Sequence, residues 1–188
     1  MTALLDRKPK DIPEIVRKIT TEERDFLRII LLLHRVACPA VRLKFNTIFY
    51  PIDLKQTLND NKNKLKYLKD QKRITSSHWD LLFPNNDETS SKDFGLKLML
   101  ILISNLKPTD VDQEEMQAIH SLESYLYTVA RNNSGQVSKD NFEDYCKDIC
   151  SAIILIGGDS YGKRFTNICC SLHIDVKIEE YLKTLCSE

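Results

Sequence analysis

Between Ser138 and Gly158 the apolar residues Phe142, Tyr145, Cys146, Ile149, Ile153 and Ile156 recur every three or four positions. An α-helix puts residues at that spacing on one face, whereas a strand needs alternation at every second position. The stretch therefore predicts a helix, with Ser138 or Asp140 as its N-cap. Gly157 and Gly158 are expected to end it, one of them in the left-handed conformation that glycine adopts without a Cβ penalty.

The same period recurs along the chain. Thr20 and Glu23 are spaced as a capping box ahead of Phe26, Ile29, Ile30, Leu33 and Ala37, and Pro39 is expected to stop or kink that helix. A second helix with Val41, Phe45, Ile48 and Phe49 inward should end at Pro51, followed by a shorter segment bearing Leu54, Leu58, Leu65 and Leu68. Thr75 or Ser76 is placed to cap a short helix with Trp79, Leu82 and Phe83. Residues 84–92, PNNDETSSK, have surface-loop composition. Helix should resume near Lys92 with Phe94, Leu98, Ile101 and Leu102 inward and break at Pro108. Met116, Ile119, Leu122, Leu126 and Val129 mark a long helix up to Arg131. A segment with Phe165, Ile168 and Leu172, and a last helix capped by Asp175 with Ile178, Leu182 and Leu185, complete the chain. Only 5 glycines and a charged fraction of 29% suit long solvated helices better than a turn-dense β layout. The fold class is all-α.

This reading disposes of a nucleotide-binding motif. Gly157, Gly162 and Lys163 match G-x-x-x-x-G-K, but a P-loop needs a strand before it and a Ser or Thr after the lysine to hold magnesium. Here the preceding run is helical and the next residue is Arg164, so no nucleotide is expected.

Basic and acidic residues are equal at 27 each, which excludes a global field drawing the protein to nucleic acid or membrane but leaves local patches open. The longest apolar run, LMLILI, is too short to span a bilayer. A soluble, cytoplasmic protein is expected. Residues 1–20 form a polar leader expected to be flexible, and residues 21–188 are expected to form one domain. Six cysteines without a secretion signal fit reduced thiols. Cys146, Cys150, Cys170 and His173 match compact zinc sites poorly, and Cys146 and Cys150 fall on the apolar stripe. No metal and no cofactor are expected.

The densest local charge is KNKLKYLKDQKR, where Lys62, Lys64, Lys66, Lys69, Lys72 and Arg73 stand against Asp70 alone, with Tyr67 among them. Such residues can hold phosphates by charge and a base by stacking, and they can equally be a solvated helix face.

Two stretches, RIILLLHRVACPAVRLKFNTIFYP with SSHWDLLFP, and SSKDFGLKLMLILISNL with RNNSGQVSKDNFEDYCKDICSAIILIGG, resemble the HEPN domain of the type found in the DAZ-interacting zinc-finger ubiquitin ligase. The similarity runs from about Thr21 to about Tyr161. It implies an antiparallel helical bundle with additional short helices, linked in animal proteins to signalling and innate immunity. It also implies a metal-independent ribonuclease site at a dimer cleft, formed by an Arg, a following polar residue and a His four to six positions beyond the Arg. The chemistry would use Arg to stabilise the phosphorane and His to move the proton. Arg131 and Asn132 match the start of that motif, but positions 135 to 137 are Gly135, Gln136 and Val137, and the histidine is missing. Gln136 can hydrogen bond but not act as an acid or base near neutral pH. His120 lies about three helical turns upstream, ~16 Å away. The expected function is thus a HEPN-like domain without catalysis that acts by association, as a homodimer or with a protein partner. The alternatives are an endoribonuclease using Arg131 and Asn132 with a histidine from across a dimer, and a non-catalytic RNA binder.

Overall fold

A computed structural model describes residues 19–85 and 88–170. The leader before residue 19 and the expected last helix from Asp175 lie outside the described residues. Every regular element among the described residues is helical, in the order α1 Thr21–Leu32, α2 Cys38–Ile48, α3 Leu54–Asp60, α4 Lys62–Asp70, α5 Ser76–Leu82, α6 Leu96–Leu106, α7 Gln113–Arg131, α8 Lys139–Gly157 and α9 Asp159–Cys170. Turns of 3-10 helix at Ser91–Asp93 and Pro108–Asp110 precede α6 and α7.

The capping box forms at the start of α1. Thr20 Oγ1 accepts from the Glu23 N–H at 3.2 Å, and Glu23 Oε2 accepts from the Thr20 N–H at 2.8 Å. Of the two outcomes the sequence predicts at Pro39, a stop or a kink, the helix does not stop. A π-helical turn, Leu33–Ala37, joins α1 to α2 without a break, and the Cys38 N–H donates to the Leu33 carbonyl five residues back. Proline offers no N–H to the carbonyl four residues earlier and its ring crowds that carbonyl. Widening the preceding turn is a way past both problems. The wider turn keeps Leu32, Leu33, Val36, Ala37, Ala40 and Val41 all buried.

Two other boundaries differ from expectation. The segment with Leu54 and Leu68 is two helices that meet at Asn61, whose side chain donates back to the Thr57 carbonyl at 2.8 Å. The segment 84–92 is not loop surface throughout: Ser91 is buried, and its Oγ donates to Asn46 Oδ1 at 2.7 Å. Arg42 of α2 donates to the carbonyls of Ser91 and Phe94, the latter at 2.9 Å, so these contacts delay α6 to Leu96.

The LMLILI run lies in α6, where Leu96 and every residue from Leu98 to Ile103 are buried. It is the middle of the bundle, packed against α2 and α7. Among the described residues, no helix is long and apolar enough to cross a membrane. Phe45 stacks on Phe49 at 4.5 Å between ring centroids and meets the edge of Phe94 at 5.9 Å. Leu54, Leu58, Leu65 and Leu68 are buried, as their spacing predicts.

Helices α7 and α8 form the longest hairpin, joined by residues 132–138, and α8 packs on α1, α2, α7 and α9. Ser138 caps α8, and Gly158 ends it with φ +83°. Gly157 sits at the crossing with α2, where a methyl group would lie 2.7 Å from Ala40 Cβ and 2.8 Å from the Tyr161 ring. The apolar run before Gly157 is therefore helix, and Gly162 and Lys163 belong to the next helix, which is not the strand, loop and helix of a P-loop. Cys146 is buried in the core; the side chain of Cys170, and His173, fall outside the description.

Candidate functional site

Arg131 and Asn132 sit where the sequence predicts, at the end of α7. Their side chains do different things. The Arg131 guanidinium lies over the Tyr127 ring one turn back, 4.6 Å from its centroid, and both residues are exposed. Asn132 turns into its own loop. Its Oδ1 accepts from the Gly135 N–H at 2.8 Å and from Ser134 Oγ at 3.1 Å, and its Nδ2 donates to the Gln136 carbonyl at 2.8 Å. Both acceptor positions of the amide are filled, a local turn bond typical of asparagine. Gly135 supports the tight loop with φ +66°, and the Val137 N–H donates to the Glu22 carbonyl at 3.1 Å, fastening the loop to the start of α1.

Beside this loop is a small cleft of about 120 Å³, lined by Phe26 of α1, Thr128 and Asn132, Gln136, and Asn141 and Tyr145 of α8, among others. Its described lining contains no histidine, carboxylate or amine. Sequence reasoning does not bring Phe26 and Tyr145 to Asn132, because their meeting depends on α1 packing against the hairpin. His120 lies elsewhere, on an open groove of about 550 Å³ with Ser104, Val111 and Met116, along the N-terminal half of α7.

Deeper along the hairpin Tyr125 donates to Asp148 Oδ2 at 2.6 Å and packs on Tyr145 at 5.0 Å between centroids. Burial, and then the bond to the Asp148 carboxylate, raise the Tyr125 pKa above its ordinary value. The phenol stays protonated as the donor that braces α7 to α8.

The lysine-rich stretch does not present one uniform face. Leu65 and Leu68 bury the inner side of α4. Lys62, Lys66 and Lys69 lie at i, i+4 and i+7 on one edge, next to α5. Lys62 Nζ lies 5.0 Å from the Phe83 centroid and Lys69 Nζ 4.9 Å from that of Trp79. Lys64 falls on the other flank by helical periodicity, with Tyr67, which is 62% exposed, between the flanks. Lys72 follows the helix with φ +59°. Arg73 turns away to Asn105 Oδ1 at 3.3 Å and Glu123 Oε1 at 3.0 Å, tying the end of α4 to α6 and α7. The structure thus brings Lys62 and Lys69 to two rings that the sequence places only in a short helix. The readable signal is the i, i+4 pair Trp79 and Phe83 in a capped helix directly after the lysines.

His78 of α5 is part of that helix's cap. Thr75 Oγ1 accepts from the His78 N–H at 3.1 Å, and His78 Nδ1 accepts from the Thr75 N–H at 3.5 Å. Burial, with the Lys97 charge adding to it, lowers the His78 pKa below 6.5.

A model of one protein family, described as DZIP3/hRUL138-like HEPN, matches residues 51–182. No curated protein and no solved structure matches significantly. The match covers more than half of the chain and takes in α3 to α9. Its helices are those that carry the Arg131–Asn132 turn and the lysine edge, and the chain belongs to the DZIP3/hRUL138-like HEPN family.

Proposed function

We propose that this HEPN domain does not cleave RNA and works by association, with a second copy of itself or with a protein partner. The observation that carries the reading is the state of Asn132: its amide is bonded within the loop, beside a cleft whose described lining offers no group to move a proton near neutral pH. General acid–base help is typically worth 10² to 10⁴ in rate, so an Arg131 left alone with Asn132 is a poor catalyst. Association is supported by the outer end of the hairpin, where Leu126, Val129, Phe142 and Tyr145 are only partly buried and Tyr127 is exposed. The unit in this proposal is the domain from residue 21 to residue 188, acting in the cytoplasm in RNA-linked immune signalling, as the resemblance implies.

The test incubates purified protein with labelled single-stranded RNA in EDTA, beside Arg131→Ala, and resolves the RNA under denaturing conditions. Intact RNA in both lanes is the expected result. Cleavage by the wild type that is lost in Arg131→Ala would overturn the reading.

A second reading, RNA binding without cleavage, is favoured by the run of Lys62, Lys66 and Lys69 along one edge of α4, whose charge suits phosphates. Lys62→Glu with Lys66→Glu should abolish RNA retention on a native gel, and unchanged retention ends that reading.

A further inference from the structure

The balance of 27 basic and 27 acidic residues conceals a polar molecule. Residues 62–73 hold six basic side chains and one acidic, whereas residues 112–148, which contain α7 and most of α8, hold eight acidic and three basic. On the outer side of α8, Asp140, Asp144 and Asp148 fall at i, i+4 and i+8, with Glu143 alongside. On the edge of α4, Lys62, Lys66 and Lys69 fall at i, i+4 and i+7. Like charges at these spacings weaken the helix that bears them. Among the described residues neither ladder is neutralised by ion pairs: Lys62, Lys66 and Lys69 have no carboxylate within ion-pair distance, and Asp140 and Asp144 have no cation. Glu143 reaches Lys139 only at 3.9 Å, both strongly exposed, Asp148 is engaged by Tyr125, and Lys147 interrupts the acidic stripe. The two ladders do not meet in one chain either, because α8 packs on α1, α2, α7 and α9.

We infer that the lysine edge of α4 is a docking surface for the acidic outer face of α8 on a second copy of this chain. The inference rests on the association reading above and gives it a partner and a direction. The occupant is argued from complementarity: Lys62–Lys66 and Asp140–Asp144 each advance about 6 Å, since each residue rises 1.5 Å, so on two helices laid side by side these pairs can set ammonium against carboxylate in register. One such junction already exists inside the molecule, where Arg73 of the basic segment pairs with Glu123 of α7 at 3.0 Å. The cation–π contacts add direction. With Lys62 and Lys69 held over Phe83 and Trp79, the ring faces are covered by ammonium groups instead of being free to stack on bases, which suits a carboxylate partner more than a nucleic acid. Because the two patches differ, the contact is head to tail: each copy uses its lysines on one neighbour and its acids on another, giving a ring or an open chain instead of a two-fold dimer.

The experiment is light scattering and sedimentation of the full chain with two charge reversals, Lys62→Glu/Lys66→Glu and Asp140→Lys/Asp144→Lys. Wild type should self-associate with rising concentration at about 0.1 M salt and come apart at about 1 M, as the screening length falls from ~10 Å to ~3 Å. Each reversed protein alone should be monomeric, since its two patches then carry the same sign. An equimolar mixture should associate again, because each patch finds an opposite one on the other variant. Circular dichroism confirms that the variants fold; should one not, Lys66→Gln and Asp144→Asn replace the reversals, each expected to weaken association about tenfold. A wild type monomeric at both salt concentrations, or a mixture that stays monomeric, overturns the inference. An oligomer insensitive to salt also overturns it while leaving the association reading standing. RNA cleavage lost in Arg131→Ala sinks that reading separately.

Discussion

Gly157 and Gly158 are adjacent and look interchangeable in the sequence, yet they are constrained for different reasons. Gly158 needs its conformation, φ +83°; Gly157 needs its lack of volume, because α8 crosses α2 at that point. Gly158→Ala should cost about 1–3 kcal/mol, because φ +83° with ψ 173° is a backbone region essentially confined to glycine. Gly157→Ala should cost a similar amount, about 1–3 kcal/mol, because the contact at 2.7 Å is with Ala40 Cβ on a helix and cannot rotate aside. Urea unfolding of the two variants ranks them, and a milder effect at Gly157 would show that the crossing gives way. Asn132→Ala should lower stability by about 1–2 kcal/mol through the loss of its loop bonds. In RNA incubations it should behave as wild type does. Glycine pairs at helix ends are legible in sequence, and so is the one that carries the positive φ as a type; the one that touches another helix is not, since the contact is tertiary.

At the scale of the element, start signals are the most readable features. Thr20, Thr75 and Ser138 all cap the helices they precede, because the N-cap bond is local and its residue preferences are strong. Thr20→Ala should therefore cost about 1 kcal/mol, measured by thermal unfolding against Thr21→Ala as a control. The cap of α5 adds a dependence on pH. His78 Nδ1 must be unprotonated to accept from Thr75, and its pKa in the fold is lowered from 6.5. Protonation is thus easier in the unfolded chain, so stability is full above about pH 6.5 and declines as the pH falls below it toward the lowered value. His78→Gln keeps an acceptor that does not titrate, and its melting temperature should change less between pH 7.5 and 5.5 than that of wild type, a window centred on the usual histidine pKa of about 6.5. Equal slopes would show that His78 is not the group responsible. Helix ends and joins were less legible. Asn61 divides α3 from α4 through its bond to Thr57, and Ser91 is pulled inward by Arg42 and Asn46. Both positions have ordinary loop or helix composition, and only distant or unusual partners reveal what they do.

At the scale of the whole molecule, the period of 3.6 residues made the fold class accessible from sequence alone. The buried ladders of α2 and α8 follow that spacing, whereas α6 is buried on every side. The candidate site was legible only in part. Arg131 and Asn132 could be located because they end a periodic helix, but the loop bonds of Asn132 and the cleft shared with Phe26 and Tyr145 need α1, α7 and α8 assembled. The lysine edge was visible as composition, and its division between flanks was not. Phe45, with its ring between Phe49 and Phe94, joins α2 to the start of α6. Phe45→Ala should lose about 3–5 kcal/mol, a large share of the roughly 5–15 kcal/mol that holds an ordinary domain folded. A strongly lowered melting temperature would mark that outcome, and a cooperative melt near the wild-type temperature would contradict it.

The π-helical turn at Leu33–Ala37 also has a reading in the language of insertion and deletion. It holds one residue more than an α-helical turn would, so the helix before it and the helix after it are out of phase by about 100° relative to a continuous α-helix. Removing one codon in the exposed pair His34 and Arg35 would restore regular winding and leave every side chain of α1 unchanged in identity. It would also swing Phe26 and Ile29 off the core. In this chain a single-residue deletion at a solvent-facing position should be more damaging than replacement of that residue by alanine. Comparing ΔArg35 with Arg35→Ala by soluble yield and melting temperature measures how firmly the reading frame of the helix is set.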